Sequence, residues 1–86
     1  MHEITNHYYR DVLRRYRLAA GMTQEQLAGF AGISTSFLSM MEIGRKRPNV
    51  DMLIRLAWAL QVRPGEMLDA LVAEYEKSDR KNQAKG

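Results

Sequence analysis

The chain has 86 residues, 45% of them apolar, with two histidines and no cysteine; this excludes wholesale disorder, a disulfide framework, a thiolate zinc site and a cysteine nucleophile. That length suits one small domain, burying about 60–65% of its unfolded surface, and no apolar run approaches the roughly 18 residues a membrane helix needs. The net charge of +3 is placed late, because from Lys77 onward Lys77, Arg80, Lys81 and Lys85 face only Asp79, which leaves residues 1–76 neutral overall. Within them Arg10, Arg14, Arg15 and Arg17 cluster early, Arg45-Lys46-Arg47 forms a tight run, and Glu66, Asp69, Glu74 and Glu76 make the later segment acidic. One basic end and one acidic end suit an oriented docking surface better than a general polycation. The start, Met1-His2-Glu3-Ile4, lacks the basic-then-apolar signature of a secretory signal, so a soluble intracellular protein is expected.

No period-2 alternation of β-branched residues persists, and the apolar spacing is helical throughout. Tyr9, Val12, Leu13, Tyr16 and Ala20 mark the inner face of a first helix, about residues 6–20, closed by Gly21. Thr23, with Gln26 three residues on, makes a capping box that opens a second helix over about 24–31, with Leu27, Ala28, Phe30 and Ala31 as its apolar side. Gly32 ends it, and Ser34 caps a third helix over about 35–42, whose apolar positions are Phe37, Leu38 and Met41 before Gly44. Pro48 forbids continuation through the basic run, since proline disfavours a helical predecessor. Asn49 then caps a fourth helix over about 50–60 with Val50, Leu53, Ile54, Ala57 and Leu60 on one side. Pro64 fits the first turn of a fifth helix over about 64–76, carrying Met67, Leu68, Leu71, Val72 and Tyr75. The polar stretch 77–86 is expected to be a charged, flexible tail behind a single domain of residues 1–76. The fold class is all-α, with five helices.

The second and third helices are joined at Gly32-Ile33-Ser34. A small residue at Ala28 lets them approach, Gly32 supplies the turn, and Ile33, Leu38 and Met41 pin the third helix to the second. One face of the third helix is left outward, free to lie in a DNA major groove. The order Leu13 through Arg17, Gly21-Met22-Thr23-Gln24, Leu27-Ala28, Ala31-Gly32-Ile33-Ser34, Leu38, Met41-Glu42, Gly44-Arg45, Pro48, and Leu53 through Leu60 runs without gaps. Over residues 10–68 it resembles the helix-turn-helix proteins of the Xre family, the phage lambda- and 434-type repressors and the small controller-type regulators.

The resemblance implies roles for individual residues. Gln24 falls where the family's phosphate-binding glutamine sits; Thr35, Ser36, Ser39 and Met40 fall at its base-facing positions; Arg45, Lys46 and Arg47 fall in the loop that touches the DNA backbone. Arg17 and Glu42 match a pair that forms a buried salt bridge, a scaffold role. Taken alone, Gln24 reads equally as a polar first-turn residue and the basic run as a solvated loop. Arg10, Arg14 and Arg15 read as ordinary surface charge with a place near the DNA backbone flank as the alternative, Phe37 as core with a contact at the DNA edge as the alternative, and His2, His7 and Tyr8 as incidental. Gln61 departs from the family, standing where many relatives have a helix-ending glycine. The recognition face departs too: without Arg, Asn or Gln it makes no bidentate base contact, so specificity is expected to rest largely on phosphate positioning and DNA shape.

On the fifth helix Met67 and Leu71 cover the core, and Leu68, Val72 and Tyr75 are left over for a two-fold dimer contact. The expected protein is therefore a homodimeric, sequence-specific transcriptional regulator of double-stranded DNA, bacterial, phage or plasmid in type and cytoplasmic. A dimer on a pseudo-palindromic operator would block RNA polymerase or, upstream, recruit it. The alternative is a protein-interaction module, antitoxin-like, on the same fold with weak DNA readout. An enzyme is disfavoured because there is no Ser/His/Asp set, metal-ligand cluster or phosphate loop, and no cofactor, metal or membrane partner is expected.

Overall fold

The structure, a computed structural model, describes residues 8–85, and their side chains as far as residue 78. Five helices follow one another: α1 (Tyr8–Ala19), α2 (Gln24–Ala31), α3 (Thr35–Glu42), α4 (Val50–Ala59) and α5 (Pro64–Lys85). The described residues contain no strand. Local chemistry sets the helix starts. The Thr23 hydroxyl accepts from the Gln26 amide at 3.0 Å while the Gln26 side chain accepts from the Thr23 amide at 2.9 Å, completing the capping box. Ser34 accepts from the Phe37 amide at 3.0 Å and Asn49 from the Met52 amide at 2.8 Å. Gly32 closes α2 with φ +73°, a left-handed conformation in which other residues are strained.

The core is made from one stripe of each helix: Val12 and Leu13 of α1, Leu27 and Ala28 of α2, Leu38 and Met41 of α3, Leu56 and Ala57 of α4, and Met67 and Leu71 of α5. α1 packs on α3 and α5, while α2 packs on α3 and α4. α5 is also clasped to α1 by polar contacts, Arg15 to Glu74 at 3.4 Å and the Tyr16 hydroxyl to Glu66 at 3.4 Å, and by the Tyr75 ring edge-on to Tyr8.

Four readings of the sequence need correction. Phe30 is not on the buried side of α2; it is 69% exposed, because Leu27, Ala28 and Ala31 already fill the interface with α3 and α4. Val50 is likewise outside the core, and Leu56, which the sequence reading passed over, is fully buried in its place. Nine of the residues from Val50 to Leu60 are apolar, so the helical period is erased and several faces look equally suitable. Ala20 is exposed as well, lying in the turn beyond α1. Finally, α5 does not stop near residue 76 but continues to Lys85. Residues 77–85 hold neither Gly nor Pro, and lysines near a helix C-terminus complement its dipole.

Gln61 is a point of strain. It follows α4 with φ +61° and is the non-glycine residue in the left-handed region among those described. The glycine expected at such a turn is absent, yet the turn keeps the glycine-like backbone.

Candidate nucleic-acid interface

α3 is split lengthwise. Leu38, Met41 and Glu42 face inward, while Thr35, Ser36 and Met40 are exposed and Ser39 is half-buried. The positions 36, 39, 40 and 43 repeat at helical spacing, so Ile43, 57% exposed, extends the same outward face. Phe37 is half-buried against the core, in keeping with a packing role. At eight residues α3 is about 12 Å long, sized to a stretch of groove.

Beyond α3 the chain folds back on the helix end. The amides of Arg45 and Lys46 both donate to the Met40 carbonyl, at 2.8 and 3.3 Å. Tyr9, read from the sequence only as a core residue, holds this loop from below: its hydroxyl donates to the Gly44 carbonyl at 2.9 Å, and the Arg47 guanidinium lies 5.6 Å above its ring. Arg45, Lys46 and Arg47 remain exposed, in a loop directly after α3 that Tyr9 ties at Gly44 and Arg47. The signal for Tyr9 in the sequence was only its apolar register; the contact spans 35 residues and no local pattern encodes it.

Behind the face lies a polar hub. Glu42, 5% exposed, accepts from Arg17 Nε at 2.7 Å and Nη2 at 2.9 Å, a bidentate pair that joins α1 to α3. Arg17 Nη1 donates to the Met22 carbonyl at 2.9 Å. The hydrogen bond to Glu42 raises the Arg17 pKa above its already high ordinary value, against the opposing effect of burial. Arg17 therefore stays a cation at every pH relevant to binding. No buried side-chain N or O lacks a partner among the described residues.

Gln24 enters this hub: its Nε2 donates to Glu42 Oε1 at 3.1 Å. A primary amide carries two N–H groups. The bond to Glu42 uses one and ties the amide to the hub, and the second makes no bond within the described residues. Gln24 and the Arg17–Glu42 pair, expected to serve separately, are thus joined through the Glu42 carboxylate.

Residues 13–67 match the Xre-like helix-turn-helix family model. The chain belongs to this family. It is 37% identical over 67 residues to the HTH-type transcriptional regulator SlrR of Bacillus subtilis, an alignment covering 77% of this chain and 44% of that protein. The chain thus spans less than half the length of that relative. Among solved structures it resembles the restriction-modification controller protein C.AhdI from Aeromonas hydrophila, with TM-score 0.67, 32% identity, and coverage of 70% of this chain and 91% of the other. A variant of the restriction-modification controller C.Esp1396I superposes with TM-score 0.77 at 26% identity, over 90% of this chain and 98% of the other. The five-helix, strand-free architecture of the described residues is that of these helix-turn-helix domains.

Proposed function

We propose that this chain is a DNA-binding transcriptional regulator that acts by occupying an operator as a homodimer. The observation that carries the reading is the exposed face of α3, flanked by the Arg45-Lys46-Arg47 loop held on Tyr9 and by Gln24 oriented on Glu42. The family membership and the regulator and controller names of its relatives support the same reading. In this assignment Thr35, Ser36, Ser39 and Met40 face the bases. Gln24, Arg45, Lys46 and Arg47 hold phosphates, and Arg17 with Glu42 keeps α1 and α3 in register. The chain is assigned binding rather than catalysis.

The dimer contact is assigned to α5. Leu68 and Val72 are exposed, and next to Leu68 an apolar depression of about 270 Å³ is lined by Val50, Leu53, Ile54, Pro64, Met67 and Leu71. Tyr75 is half exposed, its ring resting on Tyr8. A two-fold contact through this face would put two recognition helices about 34 Å apart, one helical turn of DNA. The dimer would act at a promoter, excluding RNA polymerase or, from an upstream site, recruiting it, in the cytoplasm of a bacterium; no described helix is long and apolar enough to cross a membrane.

Selection of genomic fragments by the purified protein near physiological salt tests the whole reading. A pseudo-palindrome with half-sites about ten base pairs apart is expected. Only salt-labile, sequence-independent binding would sink it and favour an antitoxin-like interaction module, for which the α3 face, free of amides and guanidinium groups, is the motivating feature.

A further inference from the structure

Two aromatic side chains on the α2–α4 side are not used by folding. The inward stripes of these helices bury Leu27, Ala28 and Ala31 against Leu56, Ala57 and Leu60, yet Phe30 and Trp58 stand 69% and 67% exposed. With Met22, Ala59 and Gln61 they line an open depression of about 310 Å³. None of these residues is one assigned to bases, phosphates or the dimer contact, although Met22 stands two residues before Gln24 and accepts from Arg17 through its carbonyl. Exposed Phe and Trp in a shared depression concentrate contact area in the side chains that most often dominate binding energy. Gln61 adds to this. Its left-handed backbone would suit glycine, and the side chain it carries instead stands at the rim.

The surrounding charge selects the partner. From Arg55 to Arg63 the chain holds two arginines and no carboxylate. Arg55 lies one helical turn before Trp58, and Arg63 two residues after Gln61. Both are exposed, and neither is within 4.0 Å of a carboxylate among the described residues. Of the acidic residues of these helices, Asp51 sits in the first turn of α4, about two turns before Trp58, and Glu25 in the first turn of α2, three residues from Met22; neither lines the depression, and two arginines stand against that one nearer carboxylate. A two-fold contact with a second copy through this face would gather four arginines into one patch, a costly like-charge juxtaposition. The described residues offer no sheet edge, so a docking segment must satisfy its own backbone hydrogen bonds, which a helix does. We propose that the Phe30–Trp58 depression docks an acidic amphipathic helix of a protein partner, its apolar side chains on the two rings and its carboxylates on Arg55 and Arg63.

Trp58 is the chain's single tryptophan, so its emission reads the site directly. The full chain is titrated with a synthetic helix of roughly sixteen residues, four turns, with leucines on one face and glutamates on the other. A saturable blue shift is expected. It should weaken on the order of tenfold in Arg55→Glu/Arg63→Glu, for a peptide with lysine in place of glutamate, and in Phe30→Ser, while circular dichroism confirms each variant's fold. Equal binding of the acidic and basic peptides would overturn the proposal. So would a blue shift that grows with protein concentration alone, since a second copy would then occupy the site.

Discussion

Glu42 holds three donors from two other elements: Arg17 Nε and Nη2 of α1, and Gln24 Nε2 at the start of α2. Removing it strands a guanidinium that is 11% exposed. Glu42→Ala should cost about 3–5 kcal/mol in denaturant unfolding. Replacing both partners, Arg17→Met with Glu42→Leu, should recover most of that loss, because apolar packing replaces a buried pair at little net cost. DNA affinity should not recover with it, since Gln24 has lost the group that orients its amide; full recovery of both would show that Gln24 needs no such support. At Gln61 the left-handed backbone costs roughly 1–2 kcal/mol for a residue with a Cβ, partly offset by the extra unfolded-state freedom of glycine. Gln61→Gly is therefore expected to raise stability by about 0.5–1 kcal/mol in a thermal melt. A loss of stability would mean that the side chain does more in folding than its exposed position indicates.

Helix ends and helix faces differ in how well a sequence discloses them. The starts at Thr23, Ser34 and Asn49 and the stop at Gly32 were legible because each is decided within four residues by a side chain reaching a nearby amide or by one backbone angle. Thr23→Ala should accordingly cost about 1 kcal/mol, and Gly32→Ala about 1–2 kcal/mol, both by chemical denaturation. Gly32 has open space around its missing Cβ, so the expected loss comes from φ and not from crowding. The buried face of α4 was not legible, since an almost wholly apolar helix carries no period, and Leu56 was passed over for Val50. The length of α5 was obscured because a run of polar, charged residues reads as a tail although each is compatible with a helix. In the candidate site the residue types and their exposure could be read from spacing. Tyr9 beneath the basic loop and Trp58 beside Phe30 could not, because both depend on which helices meet.

At the level of the whole molecule the charges are unevenly placed. Arg45, Lys46 and Arg47 project beside α3, and Glu66, Asp69 and Glu76 project from α5. If the loop cations hold phosphates, Arg45→Glu with Arg47→Glu should weaken DNA binding and reduce the slope of log affinity against log salt by about 2, near 0.9 for each lost contact. An unchanged slope would remove the loop from the interface. Leu68 is 54% exposed on α5, so Leu68→Glu should leave the fold intact while shifting the protein to monomer in sedimentation, with weaker binding to a two-half-site operator. A variant that sediments as the parent does would place the dimer contact elsewhere.

The lengthwise division of α3 also bears on how this protein could acquire new targets. Leu38, Met41 and Glu42 anchor the helix and Ser34 caps it, whereas Thr35, Ser36, Ser39 and Met40 make no hydrogen bond through their side chains within the described protein. Exposed substitutions away from caps and cores usually change stability by no more than about 0.5 kcal/mol. If this face meets bases, asparagine, glutamine or arginine could thus be written into the exposed positions 35, 36 and 40 one at a time, each adding base discrimination while the scaffold stays folded. On the proposed reading, operator preference could then drift across a lineage through viable single steps, and the same freedom would make the domain a convenient chassis for engineered promoters.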